Sequence, residues 1–177
     1  MSRTVWTIGH STRSLEAFLT LLHQHDIRLL VDVRSFPGSR KYPHFSKDVL
    51  EAALRDNEVE YEWMRELGGR RRPRADSPNG VWRNASFRGY ADYMGTPEFE
   101  EAFLALMNRI NDTRVVLMCA EAVWWRCHRS MIADKLCVRG VQVVHILDEH
   151  HSKQHPMTGP ARVIHGKLTY VQPAGES

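Results

Sequence analysis

The fold is decided by the stretch Val115-Val116-Leu117-Met118-Cys119-Ala120-Glu121. Four apolar residues run directly into a thiol, which is typical of a buried strand in a parallel sheet. The carboxyl ends of such strands form the edge at which open α/β proteins bind ligands. The pentad Cys127-His128-Arg129-Ser130-Met131 follows shortly afterwards. The sequence therefore predicts thiol, carboxylate, imidazole and guanidinium groups beside one strand end.

Other segments alternate between strand patterns and amphipathic helical patterns. The predicted strands are Val5–Ile8, Ile27–Val31, Glu60–Trp63, Arg114–Met118 and Val141–Ile146. The predicted helices are one carrying Leu15, Phe18, Leu19 and Leu22 on one face, 47–57 with Ser46 as N-cap, one that begins at Thr96-Pro97-Glu98, and 128–138. His165-Gly166 between two short apolar runs predicts a terminal hairpin.

This alternation predicts an α/β fold, a Rossmann-like three-layer sandwich with a mostly parallel sheet of about five strands and a small C-terminal hairpin. We expect one domain over residues 1–177, in which 65–95 is an arginine- and aromatic-rich insertion or lid. With a strand order of 3-2-1-4-5, the loops that carry His10-Ser11 and Cys119-Ala120-Glu121 would meet at the switch point. Asp32 and Arg34 would lie beside them.

Composition narrows the classes of partner. The net charge of +3 is too small to establish nucleic-acid binding, although it is compatible with an anionic small molecule or a nucleic-acid component. Three cysteines cannot all pair with one another, no apolar run approaches a membrane span, and Met1-Ser2-Arg3 leads directly into a strand pattern. We therefore expect a cytoplasmic protein with reduced thiols and no membrane partner, and the sequence leaves a homo-oligomer open.

Four ordered motifs carry a family resemblance. They are Thr7-Ile8-Gly9-His10-Ser11, Val31-Asp32-Val33-Arg34 with Pro37, Ser39 and Phe45, Leu67-Gly68-Gly69, and Met118-Cys119-Ala120-Glu121 with Cys127-His128-Arg129. Over most of residues 4–148 the chain resembles the bacterial family catalogued as domain of unknown function 488. That resemblance implies a Rossmann-like α/β domain and a shared polar site, and it assigns no reaction. Ala122–Arg126 is more aromatic than the linker expected there, which implies a different rim or partner.

The candidate catalytic residues are Cys119, Glu121, His10, His128 and Asp32. Cys119 is the candidate nucleophile, and Glu121 and Asp32 would transfer protons together with His10 or His128. Cys127 lies at a predicted helix N-terminus, where the helix dipole and nearby arginines favour a thiolate. Two alternatives stay open at this point: the thiols could be core residues, and the two acids could serve only to pair with arginines.

The candidate substrate-binding residues are Ser11, Arg34, Arg129, Cys127, Arg70 and Tyr90. Arginines in 65–95 alternate with Trp82, Phe87, Tyr90 and Tyr93, a combination that contacts phosphates and stacks on planar bases. The alternative is a basic, solvated loop anchored by a few aromatic side chains.

The functional hypothesis is an enzyme of the hydrolase or transferase type, without a cofactor, that acts on an anionic, nucleotide-like substrate. The first strand is not followed by Gly-x-Gly-x-x-Gly, so a dinucleotide would lack its usual binding loop. The alternative is a non-catalytic module that binds a nucleotide or nucleic acid, and a weaker one is a zinc-dependent protein. The histidine-rich segment 150–155 is expected to be solvated, although it could bind a metal.

Overall fold

The computed structural model describes residues 3–172, and it confirms the α/β class. Its strands are β1 Arg3–Gly9, β2 Leu29–Asp32, β3 Glu60–Trp63, β4 Val115–Cys119, β5 Val141–Ile146, β6 Ser152–Gln154, β7 Arg162–Ile164 and β8 Lys167–Thr169. Its helices are α1 Leu15–Gln24, α2 Lys47–Asp56, α3 Ala85–Tyr93, α4 Pro97–Asp112 and α5 Arg129–Val138. Met1 and Ser2, which begin the segment expected to lead directly into the first strand, lie outside the described residues. Within the described part, every helix is too short or too polar to cross a membrane.

The sheet has the order β3-β2-β4-β1-β5-β6, so the predicted order 3-2-1-4-5 is wrong. The strands β1 to β5 run parallel to one another, and β6 pairs with β5 in the antiparallel direction. β4 lies between β1 and β2, pairing Ile8 with Met118 on one side and Asp32 with Met118 on the other. The loop after β4 therefore borders the loops after both β1 and β2.

Two apolar cores cover the two faces of the sheet, which confirms the three-layer arrangement. Phe18 of α1 and Leu50 of α2 belong to the core on one face. Phe103 of α4 and Met131 of α5 belong to the core on the opposite face, together with residues of α3. These helices follow the apolar stripes of the sequence because each stripe must be buried against the sheet.

The insertion 65–95 is more ordered than the sequence indicated, because it contains α3. Asn84 caps this helix by accepting hydrogen bonds from the amides of Ser86 and Phe87. Tyr90 and Tyr93 are buried against the core, and their hydroxyls donate to the carbonyls of 67 and 66. The aromatic residues expected to stack on a ligand thus mainly anchor the insertion to the domain.

Three smaller expectations can be compared with the structure. Ser46 is the N-cap of α2, as predicted, but its hydroxyl donates to the carbonyl of Ser39 and forms no cap hydrogen bond. The segment after Asp148 is not wholly solvated, because residues 152–154 form β6 and His155 is buried. The terminal hairpin is confirmed as β7 and β8, with positive φ angles at His165 and Gly166.

Candidate thiol site at the carboxyl edge of the sheet

A cavity of about 270 Å³ lies where β2 and β4 end, bordered by α3 and the start of α5. Seven residues expected to form the site line it: Arg34, Arg70, Tyr90, Cys119, Glu121, Cys127 and His128. The sheet edge expected to bind ligands therefore does carry a cavity. The other four candidates, His10, Ser11, Asp32 and Arg129, do not line it.

Two thiols face each other in this cavity. The Sγ atoms of Cys119 and Cys127 lie 2.9 Å apart, and all three cysteines are free. Burial raises the pKa of the Cys119 thiol well above its ordinary value. Burial opposes ionisation of Cys127 as well, but the hydrogen bond from Cys119 and the charge of Arg129 outweigh it and lower the pKa of the Cys127 thiol to about 7. Cys127 is therefore the more easily ionised member of the pair.

The start of α5 adds to this effect. The backbone N–H of Arg129 lies 3.4 Å from Cys127 Sγ, so it donates toward the sulfur. Cys127 immediately precedes the N-cap His128, where the helix dipole favours a negative charge. A thiolate at this position is stabilised by a backbone donor, a thiol donor and a buried guanidinium.

The imidazole of His128 is oriented by the backbone. Its Nε2 lies 2.8 Å from the carbonyl oxygen of Val33, which can only accept, so Nε2 carries the hydrogen. Its Nδ1 lies 3.4 Å from Cys127 Sγ. Burial lowers the pKa of His128, so the ring is neutral and Nδ1 presents a lone pair to the thiol. Gly69 packs over this ring, since a Cβ there would lie 2.8 Å from Nδ1.

Arg129 is buried and its two terminal nitrogens bond to protein groups, which differs from the expected phosphate contact, whereas its buried Nε has no hydrogen-bond partner among residues 3–172. Only 1% of the residue is exposed, and Nη2 donates to the carbonyl of Glu121 at 2.8 Å while Nη1 donates to Thr7 Oγ1 at 3.0 Å. The backbone at Glu121 also lies close to Gly9, where a side chain would not fit, because a Cβ there would lie 1.8 Å from the Glu121 carbonyl oxygen. Arg129 therefore holds the loop after β4 in place, and its buried positive charge favours the thiolate form of Cys127.

A buried hydrogen-bond chain continues from Thr7 away from the cavity. Thr7 Oγ1 lies 2.5 Å from His145 Nδ1, and His145 Nε2 lies 2.8 Å from His155 Nδ1. His155 Nε2 then lies 2.8 Å from Asp134 Oδ1. One orientation of the hydrogens satisfies every step of the chain, each donor pointing from the Arg129 guanidinium toward the Asp134 carboxylate. We call Arg129, Thr7, His145, His155 and Asp134 the buried relay.

Other parts of the chain contact the buried relay at its Asp134 end and at His145 in its middle. Asp134 also accepts from the hydroxyls of Thr158 and Tyr170, so it ties the C-terminal segment to α5. Trp124 stacks on His145 with ring centroids 4.5 Å apart. Burial, followed by the nearby His155, lowers the pKa of His145 to about 2. The relay thus links two opposite buried charges through hydrogen bonds, which lowers the cost of burying each.

Glu121 lies at the mouth of the cavity. Its side chain is exposed and has no hydrogen bond or ion pair with any of residues 3–172. Two cations on the same rim, Arg70 and Arg126, likewise have no carboxylate partner among the described residues. Phe36 is 67% exposed, and the Arg70 guanidinium lies 5.2 Å from the centre of its ring. The rim therefore offers one carboxylate, two free guanidinium groups and an exposed ring.

Asp32 and Arg34 form a closed unit. Arg34 donates to both carboxylate oxygens of Asp32, at 2.9 and 2.7 Å, and its Nη1 donates to the carbonyl of Phe45. Tyr61 donates to Asp32 Oδ2 at 2.6 Å. Asp32 is fully buried and lies outside the cavity lining, so the structure places it as the partner of Arg34 and not beside a reacting group.

His10 and Ser11 also lie apart from the thiols. The His10 ring stacks on Phe45, 4.5 Å between centroids, in the core on the α1 and α2 face, whereas both thiols belong to the core on the other face. Burial lowers the pKa of His10. Backbone hydrogen bonds from His10 and Ser11 to the carbonyls of Cys119 and Ala120 join the two loops, but the imidazole of His10 and the thiols are not brought together.

The described residues contain no group of three or more His, Cys, Asp or Glu side chains placed to hold a metal ion. His150 and His151 are exposed, and His151 pairs with Asp148. His155 belongs to the buried relay instead. The described residues therefore provide no ligand set that supports the zinc hypothesis.

Several site residues were missed from the sequence. Arg126 and Phe36 line the cavity, and Thr7, His145, His155 and Asp134 support it through the relay. The sequence could have indicated three of these four missed relay residues. Thr7 and His145 are polar residues that interrupt strand patterns, and Asp134 interrupts the buried face of α5. Arg126 and Phe36 carried no comparable signal.

Fold and site together define an α/β protein with a paired-thiol site at the carboxyl edge of a mostly parallel sheet. The family described as Domain of unknown function DUF488 matches residues 14–136, and the chain belongs to that family. The matched part includes both thiols, His128 and Arg129. Neither a search of curated proteins nor a search of solved structures gave a match.

Proposed function

We propose that this protein is an enzyme that catalyses hydrolysis or group transfer on an anionic, nucleotide-like substrate, with Cys127 as the nucleophile. The observation that carries the proposal is the environment of Cys127: a thiol with a lowered pKa lines a cavity whose rim holds Arg70 and Arg126 without carboxylate partners. Cys119, the candidate nucleophile on sequence grounds, is the thiol whose pKa is raised, so it stays protonated and donates a hydrogen bond to Cys127 once Cys127 is a thiolate.

The chemistry follows from this arrangement. Cys127 Sγ forms a bond to the electrophilic centre of the substrate as the bond to the leaving group breaks. His128 Nδ1, 3.4 Å from the sulfur, takes the thiol proton and passes it to the leaving group. Glu121 then accepts a proton from water, whose oxygen attacks the covalent intermediate, and the Cys127 sulfur departs as thiolate. In group transfer an acceptor hydroxyl or amine takes the place of water.

The rim supports an anionic substrate with a planar part. Arg70 and Arg126 provide forked donors suited to a phosphate, and Phe36 presents an exposed ring face. The cavity of about 270 Å³ is smaller than typical pockets for a whole ligand, roughly 300–1,000 Å³. It therefore takes the reacting group, while the rest of the substrate lies over the rim.

A screen of nucleotides, sugar phosphates and short oligonucleotides as substrates, followed by substitutions in the site, tests the proposal. Once a turned-over compound is found by mass spectrometry, Cys127→Ser should reduce turnover to background, and Glu121→Gln should slow it about 100-fold. Cys137→Ser is the matched control, because Cys137 lies on α5 outside the cavity, and it should keep full activity. Undiminished turnover by Cys127→Ser would refute the proposal, and binding without turnover by every variant would favour the non-catalytic binding module.

A further inference from the structure

A second, larger cavity of about 810 Å³ lies between the segment 71–79, α3, α5 and the β7–β8 hairpin. Six basic side chains line it, against two acidic ones, Asp92 and Glu100. The basic residues are Arg71, Arg72, Arg74, Lys135, Arg139 and Lys167. This excess of four positive charges is larger than the net charge of +3 of the whole chain. Positive charge is thus concentrated at one concave surface.

Neither acid forms an ion pair with Arg71, Arg72 or Lys167. Asp92 accepts hydrogen bonds from Ser77, Asn79 and the backbone N–H of Arg74, so its carboxylate shapes the loop 74–79. Glu100 is shared by Lys135 and Arg139 of α5. Both carboxylates are committed to neighbouring groups.

Three cations remain without a carboxylate partner in the described chain. The Arg71 guanidinium lies 3.7 Å from the centre of the Tyr93 ring, and its Nε donates to the carbonyl of Gly68. Arg72 and Lys167 form no side-chain hydrogen bond or ion pair with any of residues 3–172, and both are exposed. They approach the cavity from different elements, Arg72 from the segment after Gly69 and Lys167 from β8. Like charges held around one concavity repel one another unless an anion occupies it.

This cavity is separate from the thiol site. The two share no lining residue. Between the two cavities the backbone of α3 packs directly against the backbone at Arg71. A Cβ on Gly89 would lie 2.0 Å from the Arg71 carbonyl oxygen. Ser86 and Tyr90 of α3 face the thiol cavity, whereas Asp92 and Tyr93 face the basic one. A ligand in the basic cavity therefore does not reach the thiols.

We propose that the basic cavity binds an oligophosphate, a small molecule with two or more linked phosphate groups, either free or as the phosphate tail of a nucleotide. The three cations without a carboxylate partner come from two separate parts of the chain around a cavity of about 810 Å³, so several linked phosphates match them better than one phosphate does. The cavity volume lies within the usual range for ligand pockets, roughly 300–1,000 Å³. The site is independent of the chemistry proposed for Cys127.

Calorimetric titration of the full chain tests this site, with inorganic tripolyphosphate, ATP and orthophosphate as separate probes. Tripolyphosphate should bind at one site per chain and orthophosphate should not bind measurably. Equal affinity of ATP and tripolyphosphate would assign recognition to the phosphates alone, and tighter binding of ATP would assign the nucleotide as the ligand. The double variant Arg72→Ala with Lys167→Ala should weaken tripolyphosphate binding at least about tenfold, because charge-assisted hydrogen bonds are lost.

Arg40→Ala with Lys41→Ala is the matched control, since it removes one exposed arginine and one exposed lysine outside both cavities. It should leave the affinity for tripolyphosphate unchanged. No binding of tripolyphosphate, or equal losses in the two double variants, would overturn the proposal. Binding of single-stranded oligonucleotide in place of tripolyphosphate would overturn it too.

Discussion

Asp134→Ala should lower the free energy of unfolding by about 3–5 kcal/mol, because it removes one charge of a buried, bridged pair. The Asp134 carboxylate accepts from His155, from the backbone and hydroxyl of Thr158, and from the hydroxyl of Tyr170. After substitution these buried donors lose their acceptor, and the Arg129 guanidinium at the other end of the relay loses its balancing charge. Urea denaturation followed by tryptophan fluorescence measures the change.

Asp76→Ala is the matched control. The Asp76 side chain is 84% exposed, and its one ion pair within residues 3–172, with Arg74, joins two exposed side chains. It should leave the free energy of unfolding nearly unchanged, because exposed pairs contribute little. An equal effect of the two substitutions would mean that the relay does not stabilise the fold.

Acidification from pH 7.5 to pH 5.0 should destabilise the protein by about 2 kcal/mol through His145 alone. Its pKa is lowered to about 2 in the folded protein, mainly by burial, whereas in the unfolded chain it is near the ordinary value of 6.5. The unfolded state therefore binds a proton below pH 6.5 that the folded state does not, so stability is present above pH 6.5 and is lost as the pH falls. His10 and His128 have pKa values lowered by burial and add losses of the same sign.

His145→Gln isolates this contribution, since glutamine keeps a neutral donor and acceptor for the relay but does not titrate. We expect the variant to be less stable at pH 7.5, yet to lose about 2 kcal/mol less than the wild type between pH 7.5 and 5.0. Denaturation curves at both pH values give the four free energies of unfolding. Equal losses in the two proteins would show that His145 is not held neutral by the fold.

The sequence predicted the elements of this fold better than their arrangement. Apolar runs and amphipathic stripes located the five parallel strands and four of the five helices, because burial fixes periodicity within a segment. Strand order was missed because periodicity does not report which strand is a neighbour, and β4 lies between β1 and β2. α3 was missed because 85–93 carries a glycine and polar residues, and its order comes from tertiary packing of Tyr90 and Tyr93.

The candidate site was predictable where chemistry followed a strand end. Cys119, Glu121, Cys127 and His128 were expected together and line one cavity. His10 and Asp32 were placed with them because the ends of these strands were expected to meet, and β4 does border both β1 and β2, but local contacts with Phe45 and Arg34 take up their side chains. The connections within the relay could not be foreseen, since they join Thr7 to Asp134 through His145 and His155 from distant parts of the chain.

Alkylation of each cysteine as a function of pH, read peptide by peptide by mass spectrometry, tests most directly whether the fold activates Cys127. In the native protein the Cys127 rate should rise with an apparent pKa near 7, while Cys119 stays unreactive until far higher pH because burial raises its pKa. A Cys127 rate that rises only near the free-cysteine pKa of about 8.5, or in step with Cys119, would contradict the activated thiolate on which the proposed chemistry depends.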